Sequence, residues 1–85
     1  MIRAGKKVEL RIDLLTKHQG VRFDKNTTAA PARIPKGATG TIVKVESAEI
    51  QIELYSNPSH IPGAGDTYRL WVKRPFFGIL LLLNN

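Results

Sequence analysis

The chain has no cysteine. No disulfide can staple it, no thiolate can bind a metal, and a fold of this size has to rest on its apolar core. The absence also fits a reducing compartment, so a cytoplasmic location is the expectation. Acidic side chains are scarce, with 7 Asp and Glu against 13 Lys and Arg, which leaves a formal charge of +6. That surplus suits a polyanion such as nucleic acid or an acidic protein, and it equally suits a surface kept basic for solubility. Long apolar runs are missing as well. Residues 79–83, Ile-Leu-Leu-Leu-Leu, are five apolar positions, against roughly 20 for a membrane-spanning helix. The basic start Arg3, Lys6, Lys7 has no apolar stretch behind it, so no signal peptide is expected. Asn26-Thr27-Thr28 matches a glycosylation sequon and is read as chance.

What the chain does have is period-two alternation. At 85 residues it has room for one domain, residues 1–85. Val8, Leu10, Ile12 and Leu14 alternate with Glu9, Arg11 and Asp13, the pattern of a half-buried strand with the first set inward. Thr41, Val43 and Val45 alternate with Ile42, Lys44 and Glu46. Ile50, Ile52 and Leu54 alternate with Glu49, Gln51, Glu53 and Tyr55, and the short Ser47-Ala48 link predicts a hairpin between these two runs. Tyr68, Leu70 and Val72 alternate with Thr67, Arg69, Trp71 and Lys73. Pro75 ends that strand, because proline cannot donate to a ladder. Phe76-Phe77-Gly78 reads as a single 3₁₀ turn, residues 79–83 as the last strand, and Asn84-Asn85 as a polar tail.

The stretch Pro35-Lys36-Gly37-Ala38-Thr39-Gly40 reads as a turn in which Gly37 and Gly40 are free to take positive φ. Residues 16–33 lack periodicity and read as a long loop or irregular hairpin, pinned by Phe23 or offering it to a partner. Residues 56–66 hold two Pro and two Gly and read as a second loop.

Five strands, almost no helix and one long loop between the first two resemble a small SH3-like barrel. The chain is similar to the KOW-type barrels of ribosomal proteins and transcription factors. The matching residues are Gly5 and Val8, then Lys36-Gly37-Ala38-Thr39-Gly40-Thr41-Ile42-Val43-Lys44-Val45, then Ile50-Gln51-Ile52-Glu53-Leu54, with the step before the last strand at residues 74–78. The resemblance implies an all-β, five-stranded SH3-like barrel with a long first loop. The first connection is longer, and the last strand more apolar, than is usual in the family.

Three kinds of function are weighed. Nucleic-acid binding needs rings on which bases stack, set among cations that meet phosphates. With Tyr68, Leu70 and Val72 inward, Trp71 faces out beside Arg69, Lys73 and Arg74, and Lys17, Arg22, Lys25 and Lys36 are candidate phosphate contacts. Two alternatives stay open: a bulge inverts the phase and Trp71 is core, or Trp71 lies under the long loop. Protein association is the second kind. The last strand is apolar on both faces, so either Leu80 and Leu82 or the odd positions are left outside the core, and an interface at Phe76, Phe77, Leu80 and Leu82 predicts a homo-oligomer or a protein partner. The alternative is that the first loop folds back over this face. Catalysis is the third and has the least behind it. His18 and His60 sit in separate loops with no metal-ligand spacing, Gly63-Ala64-Gly65-Asp66 lacks the strand–turn–helix context of a phosphate cradle, and no catalytic motif occurs. A plasmid-type dihydrofolate reductase is built from SH3-like barrels of this size and forms its site at an oligomer interface, with a Gln-Ile-Tyr step; here Gln51-Ile52 is followed by Glu53. The chain is therefore expected to be a non-enzymatic interaction module with no cofactor, no metal and no small-molecule substrate.

Overall fold

The computed structural model describes residues 2–15, 17–24, 33–55 and 67–83. Lys25, the sequon at Asn26, the whole loop spanning residues 56–66 with His60 and the Gly63–Asp66 turn, and the tail Asn84-Asn85 lie outside the described residues. The chain is all-β. Among the described residues its strands are β1 (Lys7–Leu10), β2 (Leu14–Leu15), β3 (Val21–Phe23), β4 (Arg33–Ile34), β5 (Thr39–Val45), β6 (Glu49–Tyr55), β7 (Thr67–Lys73) and β8 (Leu80–Leu82). A 3₁₀ helix, Arg74–Ile79, separates the last two. No described helix is long and apolar enough to cross a membrane.

Six strands form one antiparallel sheet in the order β3-β7-β6-β5-β1-β8, and β2 pairs with β4 alone. Among the described residues the larger sheet does not close on itself, so β3 and β8 are its ends. The alternation of apolar and polar residues sets which face is buried. Val8, Leu10, Leu14, Ile50, Ile52, Leu54, Leu70 and Val72 are fully buried and pack with Ile34, Ile42, Tyr68 and Leu80 in one core. Ile52 stands between Ile42 and Leu70 across the sheet, so the inward residues of neighbouring strands are in register.

Five sequence expectations change. The first strand does not run straight through to Leu14. It bends at Arg11-Ile12, because the Asp13 carboxylate accepts the Lys36 N–H (2.8 Å) and draws the chain across to β4. Ile12 is only half-buried. The segment read as a long loop or irregular hairpin contains β3, whose Val21, Arg22 and Phe23 lie opposite Val72, Trp71 and Leu70. Three residues are too few to show a period, and the partner lies about fifty positions away, so local pattern carries no trace of the pairing. In β5 the register shifts between Ile42 and Lys44. That bulge adds one residue at Val43, so Ile42 faces the core while Lys44 still faces outward beside Gln51. Of the two turn glycines, Gly37 has φ +94°, whereas Gly40 lies within β5. A Cβ on Gly40 would run into the Glu53 carbonyl and the Leu54 Cα, so this glycine is there for close strand approach.

The 3₁₀ helix is longer than the single turn expected. Pro75 sits in its first turn, where the missing N–H costs nothing. Phe76 lies against Gly20, which takes φ +81° and leaves no room there for a side chain. The helix ends at Leu80, whose N–H donates to the Phe77 carbonyl, and β8 then runs antiparallel to β1.

Candidate interaction surfaces

The outer face of β3, β7 and β6 carries four of the eight predicted nucleic-acid residues, Arg22, Arg69, Trp71 and Lys73. Register places Arg22, Trp71, Gln51 and Lys44 side by side in one row across four strands. Arg69 and Lys73 lie on either side of Trp71 along β7, and both are exposed. Trp71 itself is half-buried and faces out, because its neighbours Leu70 and Val72 take the core positions.

The row is already internally paired. The Arg22 guanidinium lies 5.1 Å from the Trp71 ring centroid, and its Nη2 donates to the Glu49 carboxylate (2.7 Å). Arg69 Nε donates to Glu53 (2.9 Å). Gln51 Nε2 donates to Asp24 (2.9 Å), and this contact covers the glutamine to 8% exposure. These ion pairs keep exposed arginines, 58% for the Arg22 side chain, so each is worth about 0–1 kcal/mol and a competing anion can open it. Among the described residues, Lys44 and Lys73 form no ion pair.

The other predicted cations are scattered. Arg74 is tied to the β5–β6 turn: its N–H donates to Ala48 O and its Nε to Ser47 O, while its guanidinium lies 5.4 Å from the Phe77 ring centroid. Lys17 precedes β3 and Lys36 precedes β5, so neither lies on the strand that bears Trp71. Lys44 and Gln51, which sequence reasoning left out, belong to the Trp71 row. The β5 bulge that brings Lys44 there leaves no mark in the alternation.

The second surface is the β8 end of the sheet. Leu80 is in the core at 8% exposure, because it continues the inward row from Leu10. The proposed interface residue is thus a packing residue, and Leu81, on the odd-numbered alternative, is the exposed one at 45%. Leu82 and Leu83 are half-buried. Phe76 and Phe77 are half-buried too, engaged with Gly20 and His18 in the first case and Arg74 in the second. Across β1, Leu81 stands beside Glu9, and Glu9 beside Thr39.

No cluster of three or more His, Cys, Asp or Glu side chains that would hold a metal occurs among the described residues. Comparison of the chain with family models, with curated proteins and with solved structures finds no match.

Proposed function

We propose that the chain is a non-enzymatic interaction module with an SH3-like barrel fold, which self-associates and meets a protein partner through its last strand. The fold reading is supported by three features: β1 pairs with both β5 and β8, the three longest strands are consecutive neighbours, and a short 3₁₀ helix joins β7 to β8. The functional reading is carried by one observation. β8 ends the sheet with an apolar residue, Leu81, outside the core, and an apolar edge strand invites another strand to add to it.

Leu81→Asp is the direct test. It removes an exposed apolar group and touches no core contact, so the far-UV circular dichroism should not change. Sedimentation velocity of the wild-type chain should show concentration-dependent association, and Leu81→Asp should weaken it at least tenfold. A wild-type chain that stays monomeric at high micromolar concentration ends this reading. Leu80→Asp is unsuitable as a probe, since it would place a carboxylate in the core.

A second reading, single-stranded nucleic acid on the Trp71 row, is favoured by the alignment of Arg22, Trp71, Gln51 and Lys44. Fluorescence anisotropy with labelled oligonucleotides at low and physiological salt tests it. Binding that persists at physiological salt and drops in Trp71→Ala supports base stacking on this face. Binding that vanishes with modest salt, or ignores Trp71→Ala, is plain charge attraction and counts against it.

A further inference from the structure

The edge of β8 has a countable set of free backbone groups. In an antiparallel ladder, alternate residues turn their N–H and C=O toward one neighbour, and the residues between turn theirs to the opposite side. The Arg11 N–H donates to Ile79 O (2.8 Å) and the Leu83 N–H to Lys7 O (2.9 Å). Residues 79, 81 and 83 therefore address β1, and Leu80 and Leu82 address the open edge. The Leu80 N–H is already used on Phe77 O. Among the described residues, what remains is the Leu80 carbonyl and both backbone groups of Leu82.

Resting on the self-association proposed above, we infer that this edge takes the β8 of a second copy, antiparallel, about a two-fold axis through Leu82. Three two-fold registers are open to so short a strand, and the free groups exclude one of them. A centre at Leu80 needs the Leu80 N–H, which is spent. A centre at Leu81 sets Leu80 opposite Leu82 of the second copy, so each Leu82 N–H can donate to the other copy's Leu80 carbonyl, while each Leu82 carbonyl loses its donor to the spent N–H. A centre at Leu82 lets each Leu82 N–H donate to the other copy's Leu82 carbonyl and leaves the Leu80 carbonyl unused, so these groups give two bonds in either of the last two registers.

The side chains choose between those two and favour the centre at Leu82. Lys7 lies opposite Thr41 on one side and, one step beyond Val8–Leu82, adjoins Leu83 on the other; Glu9 adjoins Leu81. In the Leu82-centred pair, Leu81 of one copy stands against Leu83 of the other. The row then reads Glu9, Leu81, Leu83, Lys7, with the two leucines covering each other and charges of opposite sign at the ends. The Leu81-centred register would set Glu9 toward Glu9, and Lys7 toward Arg11. The interface is isologous and joins two six-stranded sheets into one. Because each copy carries +6, raising the salt from about 0.05 to about 0.5 M should tighten the dimer several-fold by screening that repulsion.

The absence of cysteine makes single introduced cysteines clean reporters. In the proposed register, positions 81 and 83 of opposite copies form a non-hydrogen-bonded pair with Cα atoms about 4.5 Å apart, within the span a disulfide accepts. Leu81→Cys and ¹⁵N-labelled Leu83→Cys proteins are mixed under mild oxidation and the disulfide dimers weighed by mass spectrometry. The mixed dimer should exceed either like dimer about tenfold, where random pairing gives twofold. A dominant Leu81→Cys like dimer overturns the Leu82 register while self-association stands. Random pairing, with a cysteine-free parent that sediments as a dimer, also overturns the register alone. A monomeric parent overturns both readings. If Leu83→Cys fails to fold, Glu9→Cys and Lys7→Cys read the same register. Their Cα atoms would be three strand spacings, about 14 Å, apart, and a bismaleimide of that reach should favour the mixed dimer in the same way.

Discussion

Gly40→Ala is expected to cost about 3 kcal/mol, the upper end for overpacking a tight site, read as a fall in the urea midpoint at unchanged slope. The added methyl would meet backbone, the Glu53 carbonyl and the Leu54 Cα, and no flexible side chain. Backbone can yield only by opening the β5–β6 ladder, which runs on through Thr41–Glu53 and Ile42–Ile52 and holds the middle of the sheet. An 85-residue domain has on the order of 5–10 kcal/mol in hand, so this one methyl removes a large share. Gly37→Ala is the contrast. Nothing lies within 4 Å of a Cβ there, and only the positive φ of +94° resists it, at roughly 1–2 kcal/mol. Were the two substitutions to cost the same, close approach at Gly40 would not be the reason for that glycine.

That pair of glycines also shows what can be read along a chain. Both stand in one turn-like stretch, and both were equally entitled to positive φ by local chemistry. What distinguishes them is a strand that arrives from residues 53–54, and a long-range contact leaves no local pattern. The same limit explains β3. Val21, Arg22 and Phe23 look like part of a loop until β7 lies beside them. Where an element is long and one face is dry, the reading survives: Ile50, Ile52 and Leu54, and Tyr68, Leu70 and Val72, are buried as their alternation requires.

The candidate surfaces were legible to different depths. The outward placement of Trp71 follows from the period of β7. Its Arg22 cover does not, because Arg22 reaches it through a strand with no period of its own. The apolar last strand was visible as a run of leucines, but a run apolar on both faces does not say which positions are inward. The pairing with β1 decides it, sending Leu80 in beside Leu10 and Leu81 out beside Glu9. Lys44 entered the Trp71 row only through the bulge at Val43, a device that strand twist and packing select and that alternation conceals.

Neighbouring positions in β7 should respond unequally to truncation, and this is the sharpest test of its two faces. Leu70 is fully buried and lies between Ile52 and Phe23. Leu70→Ala loses the transfer energy of three carbons and opens a cavity at the centre of the core, which should cost about 2–5 kcal/mol. Trp71 is the larger side chain but sits half-exposed on the outer face, with Arg22 over its ring. Trp71→Ala gives up the cation–π contact, about 0.5–1 kcal/mol at an exposed site, together with some cross-strand packing, a total of about 1–2 kcal/mol. Urea unfolding followed by far-UV circular dichroism compares them without needing the tryptophan as a probe. A Trp71→Ala protein that unfolds as readily as Leu70→Ala would make Trp71 a core residue and remove the platform on which the nucleic-acid reading stands. A mild Trp71→Ala leaves that face free for a ligand, and the oligonucleotide titration can then be read as binding alone.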